Sequence, residues 1–171
     1  MAATYTATET YGTSPGTRTD TSYLNCLSTD TASGSDTTTN PQAAKVTIPA
    51  EGNQASYERY YQARWTGTWT SITNVKFWIQ SWTPNTGCTL YGKDVGSQTY
   101  ASPTVPSSTS GFTVNTGWDV VGEALAITPA SAITPTTQEY SDYVSFFLWV
   151  ASTASAGAVN AWTLRCQWDE A

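Results

Sequence analysis

The side chains that could do chemistry in this chain are carboxylates, cysteines and tryptophans, because none of its 171 residues is a histidine. Histidine titrates near neutral pH and is the commonest ligand of transition metals. Without it, most ordinary acid–base and metal chemistry is removed, and a serine or cysteine nucleophile loses its usual base. The sequence therefore predicts a protein that is not an enzyme, with no catalytic residue, no cofactor and no metal site.

Carboxylate pairs are the remaining route to catalysis, since glycosidases use two acids on opposite sides of a sugar. The chain has 13 Asp and Glu residues, and a sequence with so many acids contains such pairs by chance. We interpret them mainly as solvated charges and turn residues, and none shows the dense spacing of a calcium loop. The candidates for a pair are Glu51, Glu58, Asp94, Asp119, Glu123, Glu139, Asp142, Asp169 and Glu170.

The three cysteines, Cys26, Cys88 and Cys166, form an odd set without CxxC spacing. At least one must stay unpaired within a monomer. Buried small hydrophobic residues and a structural disulfide are both open, and the first is favoured in a cytoplasm. The first eleven residues favour that compartment, because they lack the basic and apolar regions of a secretory signal.

Aromatic residues are the best prospect for binding, with 8 Trp and 10 Tyr. Trp65, Trp69, Trp162 and Trp168 share strand faces with other apolar residues, which is typical of a core. Trp78, Trp82 and Trp118 are less easily buried, and exposed rings serve sugar stacking or protein interfaces. The interface candidates are Tyr5, Tyr11, Tyr23, Trp78, Trp82 and Trp118.

Period-two alternation predicts the strands that must position these side chains. Tyr57, Tyr61, Ala63 and Trp65 share one face, which is predicted to point inward, and Glu58, Gln62 and Arg64 lie on the other, which is predicted to face solvent. The next run places Val75, Phe77 and Ile79 inward and Trp78 outward, and residues 88–91 are predicted to return as its hairpin partner. Residues 143–151 are apolar at nearly every position, which predicts a central strand buried on both faces.

These strands predict an all-β fold, an antiparallel β-sandwich or jelly roll with an extended N-terminal arm. The arm is assigned to residues 1–41, which are rich in Thr, Ser, Gly and Asp, and the β-sandwich domain to residues 42–171. The arm either packs on a neighbouring subunit through its tyrosines or is a solvated tail. Trp162, Leu164, Cys166 and Trp168 predict a last strand tied into the sheet.

The charge and hydropathy of the chain limit the kinds of partner that it can bind. The net charge of −6 and only 7 scattered basic residues argue against direct nucleic-acid binding, which depends on Lys and Arg. No stretch approaches the ~20 apolar residues of a membrane span. Only 12% of residues are charged, about half the ~25% typical of soluble domains, and low charge density favours oligomers or larger assemblies.

Two stretches carry a resemblance to a known class of protein. Residues 71–78, Ser-Ile-Thr-Asn-Val-Lys-Phe-Trp, and residues 162–170, Trp-Thr-Leu-Arg-Cys-Gln-Trp-Asp-Glu, resemble small β-rich virion structural proteins of tailed bacteriophages. The resemblance implies a capsid decoration (cement) protein that braces adjacent capsomers on the outer capsid surface after synthesis in the host cytoplasm. Its implied partners are the major capsid protein and copies of itself, as a trimer or a dimer.

The alternative is a carbohydrate-binding or tail-associated adhesion module. Such a module is expected to display a row of exposed rings formed by Trp78, Trp82 and Trp118.

Overall fold

A computed structural model describes residues 2–22, 25–32, 45–80, 82–135, 139–156 and 162–171. Over these ranges the chain is almost entirely antiparallel β-structure, arranged as two sheets that pack face to face. The predicted all-β antiparallel sandwich is therefore confirmed. The only helices in the described ranges are two single 3-10 turns, Asn115–Gly117 and Val121–Glu123, and no described helix is long and apolar enough to cross a membrane.

The described strands, in chain order, are β1 (Ala3–Tyr11), β2 (Thr17–Asp20), β3 (Asn53–Ala55), β4 (Arg59–Gly67), β5 (Ile72–Gln80), β6 (Cys88–Asp94), β7 (Thr113–Val114), β8 (Leu125–Ala126), β9 (Val144–Ala151) and β10 (Thr163–Glu170).

The larger sheet has the order β2-β1-β4-β9-β6-β7, and β3 pairs with the far end of β9. Strand β9 lies at its centre and is buried on both faces, as its continuous apolar sequence predicts. The smaller sheet has the order β10-β5-β8. Its middle strand is β5, whose inner residues are almost completely buried against the larger sheet.

The main core fills the space between the two sheets, because each strand places alternate apolar side chains inward. Strand β5 carries a bulge in which Asn74 and Val75 both lie opposite Trp168, and Asn74 adopts a φ of 51°. The bulge moves the inward position from Ile72 to Val75, and the alternation predicted from the sequence continues from there. The buried core residues are Tyr61, Ala63, Trp65, Trp69, Ile72, Val75, Phe77, Ile79, Leu90, Trp118, Ile127, Ile133, Val144 and Phe146.

The outer face of the larger sheet is also covered, which the alternation of β4 does not reveal. The segment after β6 crosses this face, and Tyr100 packs with Tyr60 and Tyr143 in a second cluster. Gln62 is also buried, although it lies on the face that the sequence assigns to solvent, and its Nε2 donates a hydrogen bond to the carbonyl oxygen of Ser141. The long loop between β6 and β8 therefore covers part of the sheet.

The N-terminal assignment is wrong for residues 3–20. Instead of an extended arm, they form the hairpin β1–β2, and β1 pairs with β4 from Ala3 opposite Gly67 to Thr10 opposite Tyr60. The reason is a period-two pattern, in which Ala3, Tyr5 and Ala7 pack against the main core. Much of the rest of the predicted arm and its boundary at residue 41 lie outside the described residues.

The predicted hairpin between β5 and β6 is also wrong. Strand β5 belongs to the smaller sheet, whereas β6 pairs with β9 in the larger one. The Pro- and Asn-containing segment before Gly87 therefore carries the chain from one sheet to the other. Both strands have the alternation of a half-buried strand, so their sequences do not distinguish a hairpin from a crossover.

Candidate functional site

The outer face of the smaller sheet is the most distinctive exposed surface in the described structure. Lys76, Trp78 and Gln80 of β5 lie there, and β10 adds Thr163, Arg165 and Gln167 directly opposite them. We call these six residues the Trp78 face. Trp78 is partly exposed in the middle of it, whereas its five neighbours are exposed.

The sequence builds this face by alternation. Phe77 and Ile79 are fully buried in the core and hold β5 against the larger sheet, so that Trp78 between them must point outward. Arg165 lies opposite Trp78 in the ladder, and its Nε donates a hydrogen bond to Oε1 of Gln80. The ring thus lies among amide and cationic side chains on the face of the sheet.

Charge also distinguishes the Trp78 face. The structure pairs Arg59 with Glu9, Arg64 with Asp20 and Lys93 with Glu58. The guanidinium of Arg18 lies 4.0 Å from the ring centroid of Tyr140. Of the three basic residues that then remain, Lys45, Lys76 and Arg165, two belong to the Trp78 face, and neither has a salt bridge within the described ranges.

Trp118 is not an interface residue. It is completely buried, stacked on Phe77 with ring centroids 6.1 Å apart. Space for the indole exists because β6 has a glycine on its inner face: a Cβ at Gly92 would lie 2.6 Å from the Trp118 ring. This glycine within a strand is the signal in the sequence that could have indicated close packing.

Trp82 lies at the end of the sandwich rather than on the Trp78 face. Its ring packs edge-to-face against Trp162 at 5.5 Å, and it lines a shallow depression with Ile79, Asn115 and Asp119. With Trp118 buried, the predicted row of three exposed tryptophans does not exist. Trp78 alone provides an outward platform on the small sheet.

The tyrosine candidates divide differently. Tyr5 packs inside its own chain, stacked on Trp168 at 5.4 Å with its hydroxyl hydrogen-bonded to that of Tyr61. Burial raises the pKa of the Tyr5 hydroxyl. Tyr11 is partly exposed at the end of β1, and Tyr23 lies outside the described residues. Tyr5 therefore stabilises the sandwich, which is a role the sequence did not predict.

The acidic candidates are dispersed, except that Asp142 and Asp94 lie close enough for their charges to interact. Glu58 contacts Lys93 and accepts a hydrogen bond from Tyr60, while Asp169 accepts one from Asn74 at 2.5 Å. Asp142 is only 8% exposed, and burial, with the nearby charge of Asp94, raises the pKa of its carboxyl. The described depression contains a single carboxylate, Asp119, so it offers no pair for glycoside hydrolysis.

The raised pKa of Asp142 gives a prediction for stability. A raised pKa means that the folded state binds the proton more tightly than the unfolded one, so stability falls as pH rises from about 4 through that pKa. We expect Asp142→Asn to melt at a higher temperature than the wild type at pH 7 and at a similar one near pH 3. Circular dichroism melts across this range test it, with exposed Asp119→Asn as the control. A lower melting temperature for Asp142→Asn at pH 7 contradicts the assignment.

Two segments have the residue spacing of a catalytic or phosphate-binding motif but not the secondary structure that the motif requires. Residues 12–16, Gly-Thr-Ser-Pro-Gly, form the turn between β1 and β2, whereas a nucleophile elbow needs a strand followed by a helix. Gly87, Gly92 and Lys93 have the spacing of a phosphate loop, but the residues between them are extended in β6. Neither segment presents a loop of backbone N–H groups to a ligand.

All three cysteines are free. Burial raises the pKa values of the Cys26 and Cys166 thiols to about 12 and also raises that of Cys88. The thiolate is the reactive form. These residues therefore behave as small hydrophobic side chains, which is the favoured of the two interpretations.

No protein-family model matches the chain, and neither any curated protein nor any solved structure is significantly similar to it.

Proposed function

We propose that this chain is a virion structural protein of a tailed bacteriophage, a capsid decoration protein that braces adjacent capsomers. Its partners in this proposal are the major capsid protein and copies of itself on the outer surface of the shell. The Trp78 face is the observation that carries the proposal. An exposed sheet face with one central ring and cations beside it suits the surface of another protein.

The composition of the surface supports the same role. Few side chains are charged, and three of the cations already have carboxylate partners within the chain. Association is opposed by the cost of desolvating polar groups that remain imperfectly paired. A weakly charged surface rich in hydroxyl groups lowers that cost, because hydroxyl groups can find new hydrogen-bond partners at the interface.

The Trp78 face also defines the chemistry of the partner surface. Trp78 provides the apolar anchor, and Lys76, exposed and without a salt bridge in the described ranges, provides a positive charge beside it. The complementary surface is an apolar depression bordered by carboxylates. In this arrangement the chain adds adhesion to a particle without any chemical step.

A binding assay with particles tests this assignment. Particles stripped of the chain by mild denaturant are mixed with recombinant protein and pelleted. We expect Trp78→Ala to weaken binding by about 30-fold or more, since a central tryptophan anchor is worth about 2 kcal/mol or more. Trp149→Ala is the matched control, because Trp149 is also partly exposed but lies on the outer face of the larger sheet. Equal binding by both variants and the wild type contradicts the assignment.

The carbohydrate-binding or adhesion module remains the second candidate, because the same ring is flanked by hydrogen-bonding amide side chains of Gln80 and Gln167. One ring gives a smaller platform than the predicted row. On a glycan array this alternative requires binding by the wild type that Trp78→Ala abolishes. Absence of glycan binding together with retention on particles separates the two functions.

A further inference from the structure

Strand β10 leaves a long edge of the smaller sheet open. It has eight residues and pairs only with β5 among the described parts of the chain. The other described edge strands are shorter, with four residues in β2, three in β3 and two each in β7 and β8. An open edge presents unpaired backbone N–H and C=O groups, which can pair with another strand.

The inner side chains of β10 are incompletely covered. Leu164, Cys166 and Trp168 point toward the core but remain partly exposed, whereas Phe77 and Ile79 of neighbouring β5 are 1% exposed. The difference arises because β10, among the described strands, has a neighbour on one side only. A second strand placed along its open edge would cover these apolar groups.

The larger sheet is open on the same side of the sandwich. Residues 3–6 of β1 pair with β4, but β2 pairs only with the later part of β1, from Thr8 to Tyr11. The two open edges are joined by the Tyr5–Trp168 stack and by a hydrogen bond of 3.0 Å from the Ala3 N–H to Oε1 of Glu170. Within the described ranges, one side of the sandwich therefore has an unpaired strand edge in both sheets.

The sequence of β10 is complementary to itself in one antiparallel register. If two copies pair with Gln167 opposite Gln167, then Arg165 of each copy lies opposite Asp169 of the other. Cys166 and Trp168 then lie opposite each other on the inner face. Opposite charges directly across an antiparallel pair stabilise it. Two salt bridges and two apolar pairs thus follow from a single two-fold axis.

Other registers lack this match. Centring the pair on Cys166 places Arg165 opposite Gln167, and centring it on Arg165 places the two arginines opposite each other. Centring it on Trp168 places Gln167 opposite Asp169. Shifts that break the period of two exchange the inner and outer faces. Charge and burial therefore select the register centred on Gln167.

We propose that two copies of this chain associate through their β10 edges, antiparallel and centred on Gln167, to form a continuous six-stranded sheet. The partner strand of each copy covers Cys166 and Trp168, and its Asp169 binds Arg165. The outer face of the joined sheet then carries two Trp78 rings and two Lys76 side chains. The inference concerns self-association only and does not require the virion role.

Charge reversal tests the pairing in the isolated full-length protein. Sedimentation equilibrium should show a dimer, and Arg165→Asp or Asp169→Arg should each weaken it by about tenfold or more, because like charges then lie opposite each other twice. The double variant Arg165→Asp/Asp169→Arg should recover most of the affinity. Circular dichroism of each variant checks that the sandwich is folded.

The proposal is overturned by a wild type that stays monomeric at about 100 μM, well above the dissociation constant of a specific dimer. A trimer, which a two-fold pairing of β10 cannot form, also overturns it, as does a dimer indifferent to both reversals.

Cross-linking tests the register independently of variants that alter charge. Gln167→Cys places two thiols on the two-fold axis, at the spacing of residues directly opposite each other in a ladder. We expect a disulfide-linked dimer on mild oxidation. Thr17→Cys, exposed on the β2 edge, is the matched control and should stay monomeric. Equal cross-linking at both positions contradicts the register. Sedimentation and cross-linking both use the isolated protein, so neither result depends on a capsid or a glycan.

Discussion

Replacing Trp118 by alanine should lower the free energy of unfolding by about 3–5 kcal/mol, the usual cost of removing a fully buried tryptophan. The ring is 0% exposed and stacks on Phe77. It also fills the space above Gly92, where no side chain from β6 can replace it. The cavity left between the sheets therefore cannot be closed by a neighbouring residue on that strand.

Urea denaturation measures this change, and Trp78→Ala is the control. Trp78 lies on the outer face of the same sheet, so its loss should cost about 1 kcal/mol or less. The comparison separates the two tryptophans that the sequence alone places in the same class. Equal destabilisation by both variants contradicts the positions assigned to them.

The second large loss of folding stability is expected when the buried ion pair between Arg59 and Glu9 is broken. Their side chains are each 2% exposed, and Nη2 of Arg59 lies 2.9 Å from Oε2 of Glu9. Arg59 also donates a hydrogen bond of 2.8 Å from Nη1 to the carbonyl oxygen of Thr31. The pair therefore joins β4 to both β1 and the loop that follows β2.

Arg59→Met removes the cation that faces the buried Glu9 carboxylate and should cost about 3–5 kcal/mol. The double variant Glu9→Leu/Arg59→Met should recover much of that loss, because it removes both buried charges. Arg64→Met is the control, since its pair with exposed Asp20 should contribute about 1 kcal/mol or less. Urea denaturation of the four proteins measures the coupling. A double variant as unstable as Arg59→Met alone contradicts this account.

The sequence predicts individual strands well where alternation is the only signal needed. Val75, Phe77 and Ile79 of β5 face inward, and β9 lies at the centre of its sheet. It predicts less well which strands are neighbours. Strands β5 and β6 follow each other in the chain but belong to different sheets, and the local pattern of each strand carries no information about its partner.

The N-terminal segment shows a second limit. Its threonines suggest a solvated arm, yet a strand with alternate threonines has the same composition. Ala3, Tyr5 and Ala7 face the core between those threonines, and the pairing of β1 with β4 supplies the backbone hydrogen bonds. A composition rich in threonine therefore does not distinguish an arm from a strand with one polar face.

The candidate site is only partly predictable for a similar reason. Trp78 follows from alternation within its own strand, whereas the burial of Trp118 depends on Gly92, 26 positions earlier and in the other sheet. The cations of the Trp78 face come from two strands that are distant in sequence. Only the register of the sheet brings them together.

The central claim is that this chain acts as a structural part of a particle. Density-gradient centrifugation of lysate from the culture that produces it, followed by immunoblotting of the fractions, tests this claim most directly. The account predicts that the chain bands with DNA-filled particles and leaves them only under mild denaturant. A chain found solely in the unassembled protein at the top of the gradient would contradict it.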